Sequence, residues 1–347
     1  MQTEELKKVC SKFSSIIKFN AIRPVTDLVE LYCTDGVLRM GSTDNITRIV
    51  ATLDNEVDFD NVVVSLSQLT KLAKLTTKDT IKLSKKEDYL EFKGNGKYKL
   101  PILLDEMGNK LSLNLYMPPL KDGKEYKHED LADLLTRDNI TLYTGDMNEC
   151  LNRFYCYKDY VVTTDGISIG AVKSTLPVDE LYPSTVEQLV NLEDDFTFSE
   201  VEEGYRVSSD NIDMFIMIYK THDFPIDSVK PFIEHDSLFT VSFNTTKNDF
   251  LGALKRIAVF NKCIGIPAVN LTFSNNCVNI CNTDNTAEES IECKSNSTEN
   301  ISITVSTDSL ILLSRKMESN FSVRLGNMAL CLEDTKGFYI LSILEED

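Results

Sequence analysis

A β-prone run that ends in Thr-Asp and is followed by Gly or Asn occurs three times in this chain, at nearly constant spacing. The copies are Val37–Asn45, Tyr160–Gly166 and Val278–Asn285, and their aspartates, Asp44, Asp165 and Asp284, stand 121 and 119 residues apart. Such a period is too long for a solenoid repeat and suits one small domain. Three copies of one module therefore account for nearly all of the 347 residues.

Each copy reads as helix, strands, helix, strands. In the first, Leu6, Val9, Phe13, Ile16 and Ile17 recur at helical spacing, which predicts a helix over Glu4–Lys18. Leu66, Leu69, Leu72 and Leu75 predict a second over Leu66–Lys78. Strands are expected at Leu28–Cys33, Val37–Gly41, Thr47–Leu53, Val62–Ser65, Ile81–Leu83, Tyr89–Phe92 and Tyr98–Leu103, with Gly94-Asn95-Gly96 as a tight hairpin turn. The second copy predicts helices at Asp146–Tyr157 and Ser184–Leu192, and the third at Thr246–Asn261 and Thr307–Glu318. Two polar, proline-bearing stretches, Asp105–Asn139 and Thr221–Ser237, separate the copies and give domains of about 1–118, 136–225 and 235–347. The first is long for a connection and is expected to carry structure of its own.

Net charge is −18, which on its face repels nucleic acid. The charge is uneven, however. Counted with their flanking residues, over Glu4–Lys18, Leu66–Lys78, Thr144–Lys158, Ser184–Leu192, Thr246–Lys262 and Ser306–Ser319, the six predicted helices together carry +7, leaving −25 on the rest of the chain. Lys8, Lys12, Lys71, Lys74, Lys255, Arg256, Lys262, Arg315 and Lys316 fall mainly off the apolar stripes. For any one helix, solvated lysines are the ordinary explanation. Together, a cationic inner surface and an acidic exterior would draw phosphates to one place.

Four short segments then resemble one family in order and spacing: Arg23-Pro24 after the first helix, Thr164-Asp165-Gly166, His222-Asp223-Phe224-Pro225-Ile226-Asp227-Ser228-Val229-Lys230-Pro231, and Ala253-Leu254-Lys255-Arg256-Ile257-Ala258-Val259. The family is the β-type DNA polymerase sliding clamp, the bacterial and phage processivity factor. The resemblance implies an α+β fold of three repeated clamp domains, each with two helices on antiparallel sheets. Two such chains would close head to tail into a ring around duplex DNA. It implies sequence-independent phosphate contacts from the cations above, with Arg23 and Arg153 added. It also implies a peptide pocket for the replicative polymerase and the clamp loader, walled by Thr164, Gly166, Ile167, Ile169, Pro225, Val229, Ile266, Ser306, Ala329, Ile340, Leu341 and Ser342. Tyr98, Val259 and Phe260 would lie at the seam of the homodimer. Where the family has His-Arg after Thr-Asp-Gly, this chain has Ile167-Ser168, and it ends in Glu345-Glu346-Asp347, so a different peptide, one with a basic flank, is expected.

Other signals are weaker. Gly94-Asn95-Gly96-Lys97 lacks the spacer of a phosphate loop. The Thr-Asp pairs are expected to shape turns rather than bind metal. His128, His222 and His235 have no ligand spacing, and no nucleophile–base constellation is evident, so neither catalysis nor a cofactor or metal is expected. Nine scattered cysteines without a Cys-x-x-Cys pair, no long apolar run and no signal-like start point to the cytosol and away from membranes. The lack of Trp and the Asn/Lys/Ile-rich usage suggest an AT-rich genome, and the departures from the family pattern a phage or mobile element. Two other readings stay open: a ring of different stoichiometry, and an acidic metal-dependent hydrolase.

Overall fold

Apolar side chains spaced three and four apart place the helices, and alternating ones place the strands around them. In the computed structural model the described residues are 1–137, 140–145, 147–219, 222–234, 236–261, 266–274, 276–295 and 300–344. Among them are seven α-helices: α1 Thr3–Ile16, α2 Leu66–Leu75, α3 His128–Arg137, α4 Pro183–Val190, α5 Ile226–Glu234, α6 Lys247–Ala258 and α7 Thr307–Lys316. The chain divides into two compact units, Met1–Glu129 with Ser184–Lys220, and Asp130–Pro183 with Thr221–Asp347.

In the first unit, α1 buries Leu6, Val9, Phe13 and Ile16, as expected from sequence, and Cys10 beside them. Burial pushes the Cys10 thiol up to about 12, so it behaves as a small apolar group. At the start of α2, Ser65 accepts the Gln68 N–H at 3.2 Å, satisfying one orphan donor of the first turn. The two helices lie side by side, Ser14 and Thr70 hydroxyls 3.3 Å apart. An eight-stranded antiparallel sheet runs in the order Phe59–Ser65, Leu28–Thr34, Val37–Thr43, Thr47–Asp54, Ile212–Met217, Gly204–Ser209, Phe196–Val201, Lys124–Tyr126. Its centre joins distant segments, Met214 facing Ile49 in the register. A three-stranded sheet, Lys82–Lys85, Tyr89–Lys93 and Lys97–Pro101, completes the unit.

The second unit repeats this plan. Its nine-stranded sheet runs Glu180–Leu181, Phe154–Tyr157, Tyr160–Thr164, Ser168–Lys173, Gly337–Ser342, Ala329–Asp334, Asn320–Leu325, Val241–Thr246, Lys294–Ser295. A four-stranded sheet holds Glu288–Glu292, Cys277–Asn282, Ala268–Ser274 and Ile301–Ser306. The core between them and helices α6 and α7 includes Phe243, Phe250, Leu254, Phe273, Leu310 and Leu341.

The repeated Thr-Asp signature is a turn. Thr43 Oγ1 donates to the Thr47 carbonyl at 2.7 Å, while Asp44 Oδ1 accepts the N–H groups of Ile46 and Thr47 at 2.9 and 2.6 Å. In the second copy Thr164, Asp165, Ile167 and Ser168 make the same three bonds at the same distances. In the third, Asn282 takes over, accepting from Thr286 and Ala287.

Two element readings need correction. The expected helix Asp146–Tyr157 is a 3-10 turn, Glu149–Leu151, followed by the strand Phe154–Tyr157; Asp146 itself lies outside the described residues. Aromatic residues crowd that segment and suit a pleated surface. The helix comes earlier, as α3 within the Asp105–Asn139 connection, where Leu131 and Leu134 are buried. The Thr221–Ser237 connection also holds a helix, α5, despite Pro231 inside it.

Candidate peptide pocket and cationic helices

The pocket lies wholly within the second unit and is built where two antiparallel strands end beside α5. The second Thr-Asp turn supplies Thr164, Gly166, Ile167 and Ile169, and the strand Gly337–Ser342 supplies Ile340 and Ser342. Gly166 has φ +89°, a conformation that glycine tolerates best and that carries the chain round the rim. The Ser342 N–H donates to the Ile167 carbonyl at 3.1 Å, fixing the turn to the strand end. Ala329 forms part of the floor, and Pro225, Ser228, Val229 and Phe232 form the α5 wall. Stacking of Phe224 on Tyr155, 5.0 Å between ring centroids, holds that wall against the sheet. The cleft has a volume near 190 Å³ and no charged side chain in its lining. It suits aliphatic or aromatic anchors.

Nine of the expected wall residues line this cleft. Leu341 does not: strand alternation turns it into the main core with Leu330 and Leu332, while Ile340 on the opposite face joins Ala329 and Val229. Ser306 caps α7, accepting the Ser309 N–H at 3.4 Å, and Ile266 is exposed away from the lining. Leu151, Ser228 and Phe232 are lining residues that the sequence reading missed. The i, i+4 spacing of Ser228 and Phe232 was a usable signal, masked by the flanking prolines.

The expected DNA-facing cations divide into two groups. Arg23, Lys71, Lys74, Lys255 and Arg315 are exposed and form no ion pair among the described residues. The others are engaged. Lys8 and Lys12 both bind the Asp194 carboxylate, Lys8 at 3.0 Å, and Lys12 is only 3 % exposed. Arg256 grips Glu289, Nε to Oε2 at 2.9 Å, and holds that carboxyl below its usual range. Lys316 donates to the Thr136 carbonyl at 2.5 Å. Arg153 is off any helix and 2 % exposed, its guanidinium 4.2 Å from the Tyr182 ring centre and bonded to the Tyr182 hydroxyl at 2.7 Å. Lys262 lies outside the described residues.

No family model matches the sequence, and no curated protein matches it. Solved structures do. The DNA polymerase III subunit beta of Pseudomonas aeruginosa aligns with a TM-score of 0.81 at 16 % identity, covering 100 % of this chain and 99 % of its own. This chain has the sliding-clamp fold. The beta subunit of Thermotoga maritima aligns at 0.79 with 14 % identity, and the Bacillus subtilis sliding clamp at 0.80 with 12 %; each covers 100 % of this chain and at least 98 % of its own.

Clamp-fold features expected at a subunit seam are surface features here. Val259 and Phe260, in the turn after α6, are 78 % and 56 % exposed, and Tyr98 is partly exposed. Tyr98 stands on the strand Lys97–Pro101, an edge of the three-stranded sheet. No helix among the described residues is long and apolar enough to cross a membrane.

Proposed function

We propose that the chain is a DNA sliding clamp, a non-catalytic processivity factor that encircles duplex DNA and tethers a replicative polymerase, and its loader, through the pocket beside α5. The observation that carries this reading is the alignment of the whole chain with clamp structures. The exposed, unpaired cations of α2, α6 and α7 support it, because a sliding protein needs phosphate contacts without base readout. The divisions 1–118, 136–225 and 235–347 stand as its three clamp domains. The matching Thr-Asp turns of the first two copies favour that division. We place it in the cytosol of a bacterium or of a phage-infected cell.

The ring is a head-to-tail homodimer in this reading. Lys97 and Lys99 are exposed on one sheet edge, and Glu288 and Glu292 on the edge strand of the four-stranded sheet. Edge strands carry unpaired backbone groups ready for another chain, and opposite charge favours this pairing.

Loading onto nicked circular DNA, followed by linearisation, tests the function. A clamp is retained on the circle and slides off the cut ends. Equal loss from both forms would overturn the proposal. Sedimentation should give a species near twice 39.2 kDa.

A further inference from the structure

The α5 wall of the pocket is a weak helix. It has nine residues with Pro231 inside it, and Val229 is its one fully buried side chain. A helix this short is marginal without tertiary support, and an internal proline removes a backbone hydrogen bond. Ile226, Phe232 and Ile233 are only partly buried against the neighbouring cluster. Whether Ser228, Val229 and Phe232 stand where the cleft needs them therefore depends on what fastens the ends of α5.

Two tyrosines do so. Tyr155 and Tyr157 stand two apart on the strand Phe154–Tyr157, so they share a face, and both pack in the same cluster as Val229. Tyr155 stacks on Phe224, ahead of the helix. Tyr157 serves the other end: its hydroxyl donates to the Glu234 carboxylate, which Lys158 also holds at 2.5 Å. The ammonium groups of Lys158 and Lys230 lie 5.4 and 5.7 Å from the Tyr157 ring centre. Lys158 and Tyr157 keep the Glu234 carboxyl below its usual range. A carboxylate on the last residue of a helix opposes the helix dipole, so Glu234 does not stabilise α5 by its position. Its hydrogen-bond partners Tyr157 and Lys158 both lie off the helix. Glu345-Glu346-Asp347, on which the expected basic-flanked peptide partly rested, lie outside the described residues, and the latch is independent of them.

Building on the peptide-pocket reading, we propose that Tyr157, Lys158 and Glu234 are positioning residues for peptide binding: by pinning the end of α5 they hold the cleft wall in place before a peptide arrives. Pre-organisation of this kind lowers the ordering cost of binding and slows release. The contacts are exposed, so the effect is modest.

The test uses the full chain and two fluorescein-labelled peptides, one with Leu and Phe anchors and one with serine in place of both, measured by anisotropy. Glu234→Ala should weaken the anchored peptide about threefold or more, mainly through faster dissociation, with melting unchanged. Amide hydrogen exchange over 226–234 should quicken in the same variant. Glu234→Gln, which still accepts from Tyr157, should recover part of the affinity, a rescue that a bystander carboxylate would not give. Tyr157→Phe removes one hydroxyl, keeps the ring and should weaken binding in the same direction. Parent-like affinity in Glu234→Ala and Tyr157→Phe, even with faster exchange, overturns the positioning role and leaves the pocket reading standing. If the parent binds the anchored peptide no better than the serine control, both fall.

Discussion

Lys12 donates to the Asp194 carboxylate from a buried position on α1, and Lys8 reaches the same carboxylate at 3.0 Å. Burial pushes the Asp194 carboxyl upward, but the hydrogen bonds and charges of Lys12 and Lys8 outweigh it, and the group titrates below its ordinary value. These lysines fasten α1 to the turn after α4, a connection repeated by Lys18 with Glu187 at 2.7 Å. Asp194→Ala leaves the Lys12 ammonium buried without its carboxylate and should cost about 3 kcal/mol. Thermal melting should fall by roughly 6–12 °C. A depressed folded pKa stabilises above the unfolded value of about 3.9 and is lost as pH falls through the folded value, so the deficit against the parent should shrink in acid.

The free cations make a separable prediction. Replacing Lys71, Lys74, Lys255 and Arg315 with glutamine should weaken DNA retention and flatten its dependence on salt, by about 0.9 in the log–log slope per lost phosphate contact. Melting should not change, since none of the four pairs with a carboxylate among the described residues. Arg256→Gln should do less, because Glu289 already neutralises it. A quadruple variant that extends primers as processively as the parent would remove these residues from the DNA surface.

At the pocket, Ile167→Ser should lower affinity for an apolar-anchored peptide about tenfold with no change in melting, because Ile167 is 61 % exposed. Leu341→Asp should instead unfold the unit, since it places a carboxylate in the core. Anisotropy and circular dichroism on the two variants separate these outcomes.

A third site tests how the long connection is held. Leu115 Cδ1 lies 2.2 Å from the point where a Cβ on Gly41 would stand, and the Glu30 carboxylate accepts the Leu113 N–H at 2.5 Å. Gly41→Val should displace the connection and cost about 1–3 kcal/mol. Leu115→Ala in the same chain should return part of that loss, a non-additivity read from urea denaturation.

At the seam, Val259→Asp with Phe260→Asp should shift sedimentation from dimer to monomer without loss of helical signal, since both side chains are exposed. A variant still dimeric at micromolar concentration would place the interface elsewhere.

The sequence alone determined the α+β class, the buried faces of α1 and α2, and the places of α6 and α7. Each of those depends on local periodicity, which survives even where identity to known clamps is near 16 %. Nine of the residues that line the cleft were named only through the family resemblance, carried over position by position. Tertiary structure decided the rest. Whether Lys12 is a free cation depends on Asp194, 182 residues away, and whether Arg153 is exposed depends on Glu180 and Tyr182 closing over it. Leu341 and Ile340 read alike as letters, and only their register in the sheet separates core from pocket. Charge pairing and strand facing are long-range properties, settled when distant segments pack.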